Sequence, residues 1–387
     1  MKYPRLLFLD VMRGGMILYV VFIHGLSGVI FNNDPAALRE APRWLLLLFA
    51  PVALLATWAP LFAFVSGGAH AYGFHKIIRG NPESTGHQAS LGRFLAGSVT
   101  TALILYVLSA ANMAFMHHPM HFHEGFHYTL LTGWVLLGHV PDFSVDLLFY
   151  NDALSMIAGC GLAADLLLIV FYRMGWLSRA GRAVPVLCLS AAAVLLVTPA
   201  LQRMLTADFF MALQSGDYAR ALAVKLTVGP NLAVFPCLAF TLVGAAVIFA
   251  VADGVPIRIL LKWGWIGVTL LLVSAAMLFA LEGYSAEELS KQPGPVRMQV
   301  LNLGLILGLS LWLLRHIDLE TDPVKRSVWV SRTQWVRRAG VMALSIFCFE
   351  SFFATCFSRV VLFALGWNAF PRTPWAAGPF LLFLVVF

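Results

Sequence analysis

Apolar runs of about the length of a lipid bilayer's core recur throughout this chain. They lie at 14–31, 44–72, 93–115, 147–172, 183–201, 231–252, 257–281, 297–314 and 339–363, with a shorter run at 375–387. Inside lipid, only helices and closed barrels satisfy their own backbone hydrogen bonds, and runs of this length are helical. The chain is 60% hydrophobic and 12% charged. That is too little charge to cover a water-soluble protein of 387 residues. The expected fold is all-α, a polytopic membrane protein of about ten transmembrane helices in one bundle. No Gly/Ser-rich linker or soluble insertion divides it, so 1–387 reads as a single membrane domain, with 375–387 as an incomplete last span.

The net charge of +7 acts first as a topology signal. With the N-terminus in the cytoplasm, the inner loops hold Lys76, Arg79, Arg93, Arg173, Arg179, Arg182, Arg258 and Lys262. The last inner loop adds Arg315, Lys325, Arg326, Arg332, Arg337 and Arg338, whereas 116–146 has no Lys or Arg. No basic patch interleaved with aromatics is present, which argues against nucleic acid as a partner. The five cysteines, Cys160, Cys188, Cys237, Cys348 and Cys356, all sit in apolar runs and read as small buried residues. The N-terminal run has Lys2, Arg5 and Arg13 around its start and no small-residue cleavage site, so it reads as a retained first span.

That first span carries three ionisable groups. At 100° per residue, Asp10, Arg13 and His24 fall within about 60° of one another on a helix. The rise per residue puts His24 roughly 15 Å beyond Gly14, about half of the hydrocarbon core. A titratable group at that depth is costly unless it faces a bundle interior or a cavity. Glu350, eleven residues past Ala339, lies at a similar depth, roughly 16 Å. Two ionisable groups in one layer cost less if they meet, so Glu350 is the expected partner of His24. The carboxylate would fix the imidazole's tautomer and leave its other nitrogen as a base. Asp165 is a further deep acid.

The second run is interrupted by Pro51 and Pro60 and ends Ser66-Gly67-Gly68-Ala69-His70. The proline breaks predict a kink or a separate first piece. The small residues permit close backbone approach by a neighbouring helix. Ser66, His75, Lys76, Arg79 and Arg93 bring polar and cationic groups to the level of Asp10 and Arg13, where an anionic cosubstrate would bind. On the other side, His117 to His127 form a histidine-rich segment containing His123-Glu124-Gly125-Phe126-His127. On a helix that spacing offers two imidazoles to zinc, but Pro119 and Gly125 oppose a helix and no third ligand stands at a known spacing. A polar surface loop is the expectation, and no metal site is assigned. The short run 130–138 predicts a re-entrant segment that carries His139 towards an outward cavity. Asp146, Asn151 and Asp152 open the next span, as helix caps or acceptor contacts. His127, His139, Asp146 and Asn151 are the acceptor-side candidates.

Leu9-Asp10-x-x-Arg13-Gly14, nine mostly apolar residues and then His24 resembles the first-helix signature of the transmembrane acyltransferase superfamily. The Arg-Gly pair and the histidine resemble acyltransferase family three. The Leu-Asp-x-x-Arg-Gly opening is shared with the heparan-α-glucosaminide N-acetyltransferase-like branch. Phe62-Ala63-Phe64-Val65-Ser66-Gly67 is similar to the superfamily's aromatic-rich Ser-Gly motif, and Gly138-His139 to Leu154 is similar to a segment of the second branch. The chain departs where many members have Ser-Gly-Phe, and it lacks the late-helix histidine common in family three, with Glu350 in a broadly comparable place. The resemblance implies an enzyme of the bacterial inner membrane that uses a cytoplasmic acyl-CoA, such as acetyl-CoA, as cosubstrate, with no tightly bound cofactor. Its acceptor would be a hydroxyl or amine of a glycan, a lipid-linked molecule or another cell-envelope component. His24 would be general base or acyl carrier, and Asp10 and Arg13 a structural or donor-site pair. A proton-coupled transporter or flippase is the alternative expectation, since paired intramembrane ionisable groups also relay protons.

Overall fold

The computed structural model describes residues 5–30, 54–55, 57–80, 87–122, 125–177, 179–229, 231–283 and 294–366. It is 83% helical, with 13 helices. The first seven are α1 (Leu7–Ile30), α2 (Pro60–Gly80), α3 (His87–Phe115), α4 (Leu130–Leu137), α5 (Ala153–Arg173), α6 (Ala180–Gln214) and α7 (Tyr218–Val228). The others are α8 (Val234–Ala252), α9 (Ile257–Glu282), α10 (Val296–Leu313), α11 (Pro323–Arg332), α12 (Gln334–Val341) and α13 (Ala343–Leu365). Between α3 and α4, β1 (Met120–Phe122) and β2 (Gly125–His127) pair antiparallel.

Among the described residues eight helices, α1, α3, α5, α6, α8, α9, α10 and α13, are long and apolar enough to cross a membrane. The sequence suggested nine spans and a partial one. The difference lies first in α2, whose second half carries His70, His75, Lys76 and Arg79. Its start at Pro60 places the proline in the first turn, where its missing N–H has no partner to lose. The earlier part of that run, 44–53, and the run at 375–387 lie outside the described residues.

The bundle is built around α8. Every residue from Pro236 to Ala250 is buried, as a helix that is apolar on all sides requires. It packs against α2, α5, α6, α7 and α10. Where it crosses α2, a Cβ on Gly67 would strike the carbonyl of Thr241, and one on Gly244 that of Phe64. The small residues of α2 therefore let two backbones touch. On the bundle's periphery Leu103, Leu196, Leu281 and Phe363 are 63%, 78%, 80% and 90% exposed. Side chains of that kind, spread over several long helices, suit lipid better than water.

The helix α1 lies against α2, α12 and α13. Its first two N–H groups donate to Asp318, Leu7 at 2.8 Å and Phe8 at 2.9 Å. This satisfies orphan donors that a helix start otherwise leaves to water. A smaller apolar cluster joins the hairpin (Met120, Phe122), the turn Val145–Phe149, α6 (Phe209, Leu213) and α7 (Val224). The run expected at 183–201 continues as helix to Gln214. At 35 residues, α6 is about 52 Å long by its rise and outreaches a bilayer core. Its far end is thus free to hold this second cluster. All five cysteines are free, but only Cys160 and Cys237 are fully buried. Cys188 is exposed and Cys348 and Cys356 are half-buried, contrary to expectation.

Candidate functional site

The helices α1 and α12–α13 meet at Gly14 and Gly340, where a Cβ on Gly14 would lie 2.9 Å from the Gly340 nitrogen. Ten residues further along each chain stand His24 and Glu350. Equal rise brings both to the same height, about 15 Å from the glycine contact. His24 Nδ1–H donates to Glu350 Oε1 at 2.5 Å, and Ser351 Oγ donates to the same oxygen at 2.6 Å. Glu350 is 2% exposed and His24 25%. Glu350 Oε2 is buried and has no hydrogen bond among the described residues. The meeting inferred from depth alone is therefore present. The carboxylate sets the imidazole's tautomer, which leaves Nε2 as an acceptor.

Two further imidazoles join this pair. His117 and His118 follow the end of α3, with their ring centroids 3.9 Å apart. The His118 ring lies 4.7 Å from that of His24, and His117 6.3 Å. Thr129 Oγ1 donates to the His117 carbonyl at 2.7 Å and Thr132 Oγ1 to that of Met116 at 2.9 Å, which folds the turn inward. Burial lowers the pKa of both below the usual histidine value, and the charge on His24 adds to the effect. The sequence placed these histidines in a surface loop. Nothing in it signalled the inward turn, because the threonines that hold the turn stand more than ten residues away.

A cavity of about 290 Å³ is lined by Arg13, Ser66, His70 and Thr101 among apolar residues that include Ile17 and Phe347; His24 and Glu350 are not among its lining residues. His24 is two turns beyond Ile17 on the same face of α1, and Glu350 one turn beyond Phe347 on α13. The guanidinium of Arg13 makes no hydrogen bond among the described residues. His70 Nδ1–H donates to Asp165 Oδ2 at 2.6 Å, and Ser98 Oγ to the same oxygen at 2.5 Å. Asp165, noted in the sequence as a deep acid without a partner, is fully buried against this pair.

The other expected donor-side residues divide. Asp10 pairs with Arg5 at 2.7 Å rather than with Arg13. The contact raises the pKa of Arg5 above its usual value, the hydrogen bond being the larger cause. Arg5 and Asp10 line a separate pocket of about 250 Å³ with Gln334, Arg337 and Arg338. His75 Nε2–H donates to Asp253 Oδ1 at 2.8 Å, and Arg79 makes two bonds of 3.1 Å to the same carboxylate. These groups fasten α2 to the turn after α8 and do not line the cavity. Lys76 lies over the Tyr72 ring, 4.3 Å from its centroid, and Arg93 reaches Ser90 Oγ at 3.4 Å on an exposed face. Of the expected donor set, Arg13 and Ser66 line the cavity.

On the opposite side, His127 lies in β2 and its Nε2–H donates to the Phe122 carbonyl at 2.9 Å. His123 and Glu124 lie outside the described residues. Since His127 is in a strand, the helical spacing needed by the zinc pattern is not formed there. Among the described residues no group of three His, Cys, Asp or Glu side chains is placed to hold a metal. The segment expected to re-enter is the eight-residue helix α4, ended by Gly138 in a left-handed conformation. His139 beyond it is exposed. Asp146 is half-buried in the turn Val145–Phe149. Asp152 caps α5, accepting from Ser155 N at 2.9 Å and from Ser109 Oγ at 2.7 Å.

Asn151 ties the start of α5 to the end of α7. Its side chain donates to the Lys225 carbonyl at 3.2 Å, and its own carbonyl accepts from Asn231 Nδ2 at 2.6 Å. Lys225 in turn donates from Nζ to the Leu148 carbonyl at 2.7 Å, and burial pushes its pKa down to about 8. Neither a scan against protein-family models nor searches of curated proteins and of solved structures found a match to this chain.

Proposed function

We propose that the chain is a multi-pass membrane acyltransferase, with its N-terminus and the basic α11–α12 segment on the cytoplasmic side. In this reading it moves an acyl group from acyl-CoA to a hydroxyl or amine of a glycan or other cell-envelope acceptor. The observation that carries the reading is the His24–Glu350 pair, set about three turns along α1 from Arg13, which lines the cavity. One wall offers an uncommitted cation for an anionic or polarised donor group. The next layer outward offers an oriented imidazole. Nε2 of His24 takes the proton of the acceptor as its oxygen or nitrogen attacks the thioester carbonyl, and Glu350 stabilises the imidazolium that forms. In the covalent variant, Nε2 itself attacks and carries the acyl group to an acceptor that binds later.

The test uses membrane vesicles with radiolabelled acetyl-CoA. His24→Ala is expected to lower transfer to glycan by about 10²-fold or more, the usual contribution of a positioned base. Full transfer by that variant refutes the assignment. Proton-driven solute uptake without acyl-CoA dependence would favour the transporter reading instead.

A further inference from the structure

We propose that His70 is a second acid–base group of the enzyme, placed in the cavity that Arg13 lines, which protonates the donor's sulfur as the thioester breaks. The inference rests on the acyl-transfer reading. His70 lies four residues beyond Ser66, so both are on one face of α2, and both line the cavity with Arg13. Its Nδ1–H is committed to Asp165 Oδ2, and Ser98 Oγ holds the same oxygen. Asp165 Oδ1 is buried and unbonded among the described residues, as Glu350 Oε2 is. The two pairs thus share one plan: an imidazole, a carboxylate oxygen shared with a serine hydroxyl, and a second oxygen left bare. Each imidazole keeps about a quarter of its side chain exposed, 22% for His70 and 25% for His24.

Beside the ring, Gly161 supplies the space. A Cβ there would lie 3.0 Å from His70 Nε2 and 3.1 Å from Cε1. A bare backbone at that point lets Nε2 stand next to α5.

The chemistry requires such a group. When the C–S bond breaks, the electron pair stays on sulfur, and a thiolate in a largely apolar cavity lacks the water that would solvate it. Arg13 offsets the charge, and His70, entering the step as the imidazolium whose Nδ1–H is held by the Asp165 carboxylate, gives its Nε2 proton, so a neutral thiol leaves. At the other end His24 Nε2 gains the proton of the acceptor's O–H or N–H. His24 then loses one proton to water and His70 regains one, so a turnover is proton-neutral. In reverse, His70 takes the proton of the entering thiol.

The test compares two acetyl donors with the full chain in proteoliposomes: acetyl-CoA, whose alkyl thiolate leaves poorly, and S-phenyl thioacetate, whose aryl thiolate leaves readily without a proton. His70→Gln is expected to slow transfer from acetyl-CoA by about 10²-fold, and from the phenyl thioester by less than about threefold. His24→Gln is expected to slow both alike. Asp165→Asn, which keeps a hydrogen-bond acceptor for His70, is expected to show the donor pattern of His70→Gln with an unchanged Tm. Equal loss with both donors in His70→Gln, or no loss with either, overturns the proposal. Failure of both His70→Gln and Asp165→Asn to fold also overturns it, by assigning the pair to the packing of α2 on α5. A wild-type chain that transfers from neither donor refutes the acyl-transfer reading itself. An active wild type with an indifferent His70→Gln refutes only the role of His70.

Discussion

Gly14 and Gly15 are neighbours on α1, yet the structure gives alanine opposite effects at the two positions. At Gly14 an added Cβ would collide with the carbonyl oxygen of Val336 and approach its carbon to 2.7 Å and the Gly340 nitrogen to 2.9 Å. All three are backbone atoms, so no side chain can rotate away and α1 must separate from α12. Forced overpacking of this kind costs about 1–3 kcal/mol. At Gly15 nothing lies within 4 Å of the added atom. There alanine removes only the entropic cost of a helical glycine, a gain of about 0.5–1 kcal/mol. At about 2 °C per kcal/mol for a large chain, Gly14→Ala lowers Tm by about 2–6 °C and Gly15→Ala raises it by about 1–2 °C. Thermal unfolding of the detergent-purified protein, followed by tryptophan fluorescence, measures both. Gly14→Ala also shifts α1 against the chain that bears Glu350, so it should lower acyl transfer while Gly15→Ala leaves it unchanged. Equal shifts of the same sign would refute the close approach of α1 to α12.

Two other outcomes can be measured on the same preparation. Burial holds His117 and His118 below the ordinary histidine pKa, so the unfolded chain binds protons that the folded one refuses. Their contribution is intact above about pH 6.5 and is lost as pH falls from there towards the depressed folded values. His118→Asn should therefore flatten the fall in Tm between pH 7.5 and 5, and an unchanged slope would exclude His118 as its source. Asp318→Ala removes the acceptor for the first two N–H groups of α1. It should cost about 0.5–2 kcal/mol, with Asp318→Asn costing less, and calorimetry showing no difference from wild type would rule out the cap.

The parts of the molecule governed by regular helical geometry were legible in the sequence. Depth counted at a fixed rise predicts the meeting of His24 and Glu350, and the small residues of α2 predict a close neighbour, which is α8. Ion-pair partners that helical depth does not fix were not legible, whether near or far along the chain. Nothing near Asp10 indicates that its partner is Arg5 rather than Arg13, and Asp253, which takes up His75 and Arg79, stands 178 residues from His75. The length of α6 was missed because hydropathy marks where lipid ends, whereas a helix continues as long as its far side has something to pack on. The inward turn of His117 and His118 depends on two threonine hydroxyls and has no periodic signal.

The register of α1 against α13 also bears on biosynthesis. His24 and Glu350 are 326 residues apart in the chain, and the acceptor at the start of α1, Asp318, is almost as distant. At about 5–20 residues per second of synthesis, α1 leaves the ribosome roughly 15–65 s before the segments that complete it. During that interval His24 lacks Glu350 and the start of α1 lacks Asp318, and a helix with such unmatched groups is poorly suited to lipid on its own. The first helix of the chain is therefore the natural client for a membrane chaperone or insertase, which would release it once α10 to α13 arrive.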